Sequence, residues 1–303
     1  MFSLSKSLQL WKAYALRYIR PMPILRFLLP ILILIAMGSA HGQGLSCTEL
    51  FEKTFKTTEF IISITGKKQS QQFLTMAHNN LTSDFEISKL HSILSFIKDN
   101  GLEELPSDER KFIIKLRQSS SFLRSIFQTS DERHKSPKEF AEFVRDFGVL
   151  KDYLLMVDSE GAQKMAKRIL KRHDELDFDA LLKSSQPAKK KSVKKYFKSL
   201  LKDTKALMAK TNLTVDEVHD VRKNLRDILR FMQMQNAVNL TDQDTPEIEF
   251  LKKTNLKLGE ICDDYASQIL RQEIDEFTVV SFPEKIRPRV EHFLDHYEIR
   301  VAD

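Results

Sequence analysis

Residues 215–235, VDEVHDVRKNLRDILRFMQMQ, are the stretch of sequence that decides the fold class. At about 100° per residue, a helix over this stretch gathers its apolar side chains on one face. Those side chains are Val221, Leu225, Ile228 and Met232. Thr214 and Glu217 have the spacing of a capping box, which predicts that the helix begins here. An amphipathic helix of this length is stable when its apolar face packs against other helices, so the stretch indicates a helical bundle.

The rest of the chain has the same helical character. Only 8 of its 303 residues are glycine and 9 are proline, which favours helices over a turn-rich β architecture. Helix starts are predicted at Pro106-Ser107 and Ser136-Pro137, and a helix end at Asn100-Gly101. Residues 47–64 are also predicted to be helical, whereas TVVSF at 278–282 predicts a short extended piece before one final helix. The predicted fold class is all-α.

The first 40 residues differ in composition from the rest. Five basic residues and no acid accompany an apolar run, FLLPILILIAM at 27–37, and small residues follow as far as Ala40. This order is typical of a secretory signal peptide. Because the run is shorter than the ~20 residues that span a bilayer, we expect export to the bacterial periplasm and no transmembrane span in the mature chain. An uncleaved N-terminal membrane anchor is the alternative. Export would permit a disulfide between Cys47 and Cys262, and two separate thiols are the other reading.

Local clustering of charge, rather than global basicity, carries the functional prediction. The formal net charge is +6, but five cations belong to the predicted signal peptide, which leaves 43 basic against 42 acidic residues, a net of +1. Between Lys151 and Arg230 the chain holds 20 basic and 12 acidic residues, so the cations concentrate there. A nearly neutral chain with such a segment is predicted to carry a local anion site.

Two helices of this segment carry cations along one face. The helix that follows Thr214 has the arginine row, whose members fall in an arc of about 80°: His219, Arg222, Arg226 and Arg230. The helix before it has the lysine row: Lys191, Lys194, Lys195, Lys198 and Lys202. Such a row is either a solvated surface or an anion site. Because like charges at i and i+4 repel, rows without acids favour the site.

The residue types in these rows indicate which anion they suit. Arginine offers planar, bidentate donors and lysine a point charge, a mixture that fits phosphate oxygens. Nucleic-acid sites usually add stacking aromatics or base-reading amides on the same face, and these rows have neither. We therefore expect a phosphate-rich polyanion without bases. His219 stands among cations, which should lower its pKa and leave it a neutral donor at pH 7; a purely structural histidine is the alternative.

The chain shows no motif for catalysis or for a metal. It lacks a phosphate-binding glycine loop, a nucleophile elbow, an HExxH sequence, and cysteine and histidine at zinc spacing. Asp152 and Asp263 form a candidate acid pair, although salt bridging to the arginine row is the stronger interpretation. We therefore expect a non-enzymatic protein with no catalytic residue, metal or cofactor.

Two segments of the chain echo each other. FGVLKDY at 147–153 is similar to LGEICDDY at 258–265, and Gly148 and Asp152 are spaced like Gly259 and Asp263. A preceding helix in each half carries related arginines, which in the first half are Arg117 and Arg124. The echo predicts two duplicated helical hairpins. Because glycine within a helix costs about 1 kcal/mol relative to alanine, its recurrence indicates close packing at both positions.

These residues resemble the conserved-histidine α-helical domain (CHAD) family, whose motif H-x-x-R-x-x-x-K/R-x-L-R is followed by L-G-x-x-x-D. The second half matches at His219, Arg222, Arg226, Leu258, Gly259 and Asp263. The first half matches at Arg117, Leu123, Arg124, Gly148 and Asp152. The resemblance covers about residues 105–274. It implies two helical bundles related by pseudo-twofold symmetry, a basic central surface and the binding of inorganic polyphosphate.

The chain departs from that family pattern at several positions. Ile114 replaces the motif histidine of the first half, Ser121 and Phe122 replace two usual basic residues, and Asp227 stands where arginine is common. Export is also unusual for the family. These departures imply weakened or altered binding.

Together, the resemblance and the charge rows predict how the chain divides into segments, and they leave two candidate functions. The predicted segments are a signal peptide (1–40), an N-terminal helical extension (41–104), a CHAD-like helical domain (105–274) and a C-terminal extension (275–303). We expect the arginine row, the lysine row, Arg117 and Arg124 to bind inorganic polyphosphate or a similar polyanion. The alternative is a degenerate CHAD-like scaffold or protein-interaction module of the cell envelope without such a ligand.

Overall fold

A computed structural model describes residues 59–64, 66–173, 176–239 and 244–301, all within one compact unit. The predicted signal peptide and Cys47 lie outside these ranges, as do all of residues 41–58. Within the described ranges the chain forms ten helices and four short strands, so the all-α class is confirmed. The duplication of whole bundles and the division into four segments stay predictions.

The helices are α1 (Lys67–Asp84), α2 (Ile87–Asn100), α3 (Ser107–Ser130), α4 (Lys138–Met156), α5 (Ser159–Arg172), α6 (Phe178–Lys183), α7 (Lys190–Met208), α8 (Val215–Val238), α9 (Pro246–Leu270) and α10 (Arg287–His296). The strands are β1 (Phe60–Ile64), β2 (Asn212–Thr214), β3 (Val279–Ser281) and β4 (Tyr297–Val301).

Local signals set the helix ends close to where the sequence predicts them. The Thr214 hydroxyl accepts from the Glu217 amide at 3.2 Å, and the Glu217 carboxylate accepts from the Thr214 amide at 3.0 Å, so the capping box of α8 is confirmed. Gly101 ends α2 with a positive φ of 75°, a conformation that glycine adopts without a Cβ clash. Pro106 immediately precedes α3, and Pro137 immediately precedes α4. The sequence predicts Pro137 at the first helical position, so it lies one residue before that position.

The core is one cluster of buried apolar side chains that extends from β1 to α10. The apolar face predicted for α8 is buried, with Val221, Leu225 and Ile228 at 0% exposure. α7 buries Phe197 and Val193 in the same cluster. α8 packs against α3, α7 and α9, and α3 also packs against α1 and α4. This arrangement places α8 at the centre of the bundle.

The helix predicted across residues 60–64 is wrong, because this segment is the strand β1. It pairs in parallel with β4, in a register that sets Phe60 beside Tyr297 and Ile64 beside Val301. Phe60, Ile62 and Ile64 alternate into the core at 0% exposure, and the Phe60 ring lies 5.1 Å from that of Phe293. β-branched residues with this alternation suit a strand. The extended piece predicted near residue 280 is confirmed as β3, which pairs antiparallel with β2.

Candidate anion-binding cleft

A cleft of about 1250 Å³ opens between α3, α4, α8 and α9. Six of the predicted site residues line it: Arg117, Arg124, His219, Arg222, Arg226 and Arg230. α3 supplies the first two and α8 supplies the arginine row. The structure therefore brings the cations of two helices, about 100 residues apart in the chain, into one concavity.

The lysine row does not belong to this cleft. None of Lys191, Lys194, Lys195, Lys198 and Lys202 is among the residues that line it. α7 packs Val193 and Phe197 into the core, and its lysines, on the other side of the helix, are exposed or, at Lys194, partly exposed. The expectation that both rows share one site is corrected here, because the burial of α7 fixes its rotation. Whether the lysine row binds an anion stays a prediction.

Glycines on two helices make room for arginines of the cleft. A Cβ atom added at Gly148 of α4 would lie 3.2 Å from Arg117 Nε, and one added at Gly259 of α9 would lie 3.1 Å from Arg222 Nη2. These distances are tighter than ordinary van der Waals contact. The close packing predicted at both glycines is thus a contact between the helix backbone and a guanidinium group, and it occurs in both segments of the sequence echo.

Three arginines present donors that the described part of the chain leaves unused. The Nε atoms of Arg117, Arg222 and Arg226 are buried and have no hydrogen-bond partner among the described residues. The side chains of Arg222 and Arg226 are 22% and 17% exposed. A buried donor without an acceptor costs about 1–3 kcal/mol. These arginines are therefore incompletely hydrogen-bonded within the described part of the chain.

Burial, and then the crowding of cations, lower the pKa values of the arginines in the cleft. Burial, followed by repulsion from Arg226, lowers the pKa of Arg117 to about 10. Burial also lowers the pKa of Arg226, and that of Arg230 falls well below its usual value. Each of these groups remains protonated more easily when negative charge is nearby. The cleft is therefore a region of positive potential that an anion would stabilise.

Among the four side chains of the arginine row, His219 is the one that is neutral near pH 7. Burial, and then the cations Lys223 and Arg222, lower its pKa to about 3. The neutral donor predicted from the sequence is thus supported by the structure. A neutral imidazole can donate one hydrogen bond to an anion without adding to the repulsion among the arginines.

Arg230 is held by the opposite helix. Its Nη1 atom donates to Ser125 Oγ at 2.8 Å and to Ser121 Oγ at 3.0 Å, and also to the Ser121 carbonyl. Ser125 Oγ in turn donates to Asp227 Oδ1 at 2.5 Å. Asp227 is buried, and its Oδ1 atom lies 3.9 Å from Arg226 Nε. Ser121 and Asp227, two positions at which the sequence departs from the CHAD pattern that it resembles, therefore act together to hold the C-terminal end of the arginine row.

Carboxylates at the edge of the cleft partner some of its cations. Lys151 Nζ lies 3.2 Å from Asp152 Oδ1 and 3.3 Å from Asp263 Oδ1, and Asp263 Oδ1 also lies 3.8 Å from Arg222 Nη1. The structure thus brings the predicted acid pair together in a salt-bridge cluster, which is the stronger interpretation drawn from the sequence. Lys151 was not among the predicted site residues, because its role depends on contacts between α4, α8 and α9.

Apolar side chains also line the cleft, and the sequence rows did not predict them. They include Ile114 and Phe122 of α3, Val149 of α4, and Tyr265 and Ile269 of α9. The Phe122 ring centre lies 5.6 Å from the guanidinium carbon of Arg230. The sequence held a signal for two of them, because Ile114 stands where the CHAD pattern has its histidine and Phe122 where that pattern usually has a basic residue.

Comparisons with protein-family models, curated proteins and solved structures give no match for this chain. Among the described helices, none is long and apolar enough to cross a membrane. The described residues also contain no cluster of three histidine, cysteine, aspartate or glutamate side chains placed to hold a metal. Cys262 is a buried thiol at the cleft with no disulfide partner among the described residues, and burial raises its pKa. The predicted disulfide with Cys47 stays a prediction, because Cys47 lies outside the described residues.

Proposed function

We propose that this protein binds inorganic polyphosphate or a similar polyanion in the cleft between α3 and α8, without catalysing a reaction. One observation carries the proposal. Arg117, Arg222 and Arg226, on two different helices, line the same concavity, and among the described residues their buried Nε donors have no hydrogen-bond partner. Unsatisfied buried donors are rare in proteins, and three arginines that carry them in one cleft suit a bound anion.

The chemistry of phosphate fits these donors. A guanidinium group can form two parallel hydrogen bonds to phosphate oxygens, and such charge-assisted bonds are roughly twice as strong as neutral ones. His219 adds a neutral donor from the same helix. The glycines at positions 148 and 259 allow Arg117 and Arg222 to lie close to the helix backbone, which restricts their orientation. Restricted donors lose less conformational entropy when a ligand binds.

A second function has its own support. Arg230 already donates to two serine hydroxyls, and Arg222 lies 3.8 Å from Asp263, so part of the positive charge is partnered within the protein. This partnering favours the alternative function, a helical scaffold or protein-interaction module of the cell envelope. For either function, we also propose that the chain is related to CHAD proteins and that it is exported.

Titration calorimetry with long-chain polyphosphate, at low and at high salt, tests the proposal. We expect binding that weakens as salt increases, because the phosphates release counterions. Arg222→Gln should lower the affinity about tenfold or more, since it removes a charge-assisted hydrogen bond. Lys285→Gln is the matched control, because Lys285 is an exposed cation outside both the cleft and the lysine row and its loss should change the affinity little.

Two results would count against the proposal. The first is no binding of polyphosphate by the wild-type protein even at low salt, which would leave the scaffold function. The second is an equal loss of affinity in Arg222→Gln and Lys285→Gln, which would place the interaction on general surface charge. Circular dichroism of each variant establishes that the helices are retained.

A further inference from the structure

The cleft has two chemically different sides. The arginine row of α8 forms one side. On α3, cationic and apolar residues follow each other along the face that lines the cleft: Ile114, Arg117, Phe122 and Arg124. Ile114 and Phe122 are both partly exposed there. Positions three or four apart on a helix lie next to each other, so an apolar contact is available within one or two turns of Arg117.

The apolar surface extends across to the neighbouring helices. Val149 on α4, and Tyr265 and Ile269 on α9, line the same cleft and are partly exposed. Apolar surface in contact with water is unfavourable, and its burial by a ligand contributes about 25 cal/mol per Å². A ligand made only of phosphate groups would leave this surface in water.

Acidic residues further limit which ligand suits the whole cleft. Asp152, Asp216, Asp263 and Glu276 also line it. A long, uniformly charged chain that filled about 1250 Å³ would bring phosphates close to these carboxylates. A molecule whose negative charge is confined to one end would avoid that repulsion, because the rest of it would carry no charge.

We propose that the preferred ligand of this cleft is a phosphorylated organic molecule, with its phosphoryl group among Arg117, Arg222 and Arg226 and an apolar body against Ile114 and Phe122. This inference rests on the proposed anion binding and narrows its ligand class. The cleft is large enough, since pockets for small organic ligands typically measure about 300–1,000 Å³. The apolar body could be a ring, as in a nucleotide-like ligand, or a chain, as in a lipid-like one.

Three probes that share one phosphoryl group test the inference by titration calorimetry: inorganic phosphate, 1-naphthyl phosphate and octyl phosphate below its micelle concentration. We expect at least one organic phosphate to bind about tenfold or more tightly than inorganic phosphate, because it buries apolar surface. Preference for the naphthyl compound assigns a ring to the ligand, and preference for the octyl compound assigns a chain.

Variants of the apolar side locate the effect. At least one of Phe122→Gln and Ile114→Gln should remove most of the gain shown by the organic phosphates, and both should leave the affinity for inorganic phosphate unchanged. Leu256→Gln is the control, since Leu256 is 64% exposed and lies outside the cleft. Arg222→Gln should weaken all three probes by a similar factor, because it acts on the shared phosphoryl group.

The outcomes separate this inference from the proposed function. Equal affinity for the three probes, together with binding of polyphosphate, overturns the organic ligand and keeps the anion site. A gain that persists in both Phe122→Gln and Ile114→Gln also overturns it, since the apolar body would then lie elsewhere. If no probe binds and polyphosphate does not bind either, both proposals are wrong.

Discussion

The guanidinium group of Arg222 lies so close to Gly259 that a Cβ atom at that glycine would approach Nη2 to 3.1 Å. Arg117 and Gly148 have the same relationship, with a distance of 3.2 Å to Nε. In each case the glycine has a lower helix propensity than other residues would have. An arginine of the cleft occupies the space next to it that a Cβ atom would crowd. The two glycines therefore affect the orientation of the arginines more than the stability of their helices.

Gly259→Ala should lower anion affinity while it changes stability little. Alanine favours the helix by about 1 kcal/mol relative to glycine, and the contact with Nη2 offsets part of that gain by moving the guanidinium by a few tenths of an ångström. We expect a change in the free energy of unfolding within about 1 kcal/mol and an affinity several-fold lower. Urea denaturation and calorimetry measure the two quantities. Unchanged affinity in both Gly259→Ala and Gly148→Ala would show that these contacts do not orient the donors.

Asp263→Asn should strengthen the binding of anions. Asp263 Oδ1 lies 3.8 Å from Arg222 Nη1 and is 47% exposed, so it competes with a ligand for this cation. An exposed ion pair contributes about 0–1 kcal/mol, which corresponds to an increase in affinity of up to about fivefold. Asp264→Asn is the control, because Asp264 is the adjacent residue and does not line the cleft. Weaker binding in Asp263→Asn would mean that this carboxylate supports the site.

His219 should make the protein less stable in acid. The pKa of His219 is about 3 in the folded protein, compared with the ordinary value of 6.5, which applies to the unfolded chain. Between pH 3 and pH 6.5, the unfolded chain therefore binds a proton that the folded protein does not. The free energy of unfolding therefore decreases as the pH falls from about 6.5 to about 3, and this contribution is constant below that window. His219→Gln should have a shallower slope there, measured by urea denaturation at several pH values. An unchanged slope would contradict the lowered pKa.

Thr214→Ala should destabilise the protein without affecting the ligand. The Thr214 hydroxyl accepts from the Glu217 amide at the start of α8, and the loss of such a cap costs about 1 kcal/mol. Thr211→Ala is the control, because Thr211 is exposed and does not cap a helix. The midpoint of urea denaturation gives the difference. A loss of anion affinity equal to that in Arg222→Gln would show that the cap also positions the arginine row.

Local features of the fold could be predicted from the sequence. The start of α8 follows from Thr214 and Glu217, the end of α2 from Gly101, and the buried face of α8 from its apolar spacing. Each of these depends on residues within a few positions of one another. β1 could not be predicted in this way, since its partner strand lies more than 230 residues away and stabilises it through backbone pairing.

The same distinction applies to the cleft. The arginine row lies on one face of one helix, so its alignment was predictable. The position of α7 in the bundle was not, and it separates the lysine row from the cleft. The contacts of Lys151 with Asp263 and of Arg230 with Ser125 join helices about 100 residues apart. Such contacts depend on helix packing, which the periodicity of a single helix does not specify.

The pairing of β1 with β4 has a consequence for biosynthesis. A ribosome releases Phe60 early, but the strand that pairs with it is not complete until Val301 has been added. Until then an isoleucine-rich segment lacks its hydrogen-bonding neighbour, and such segments are prone to aggregate. The closure of this fold therefore waits for the synthesis of β4, and a chaperone that covers residues 60–64 would protect the nascent chain during that interval.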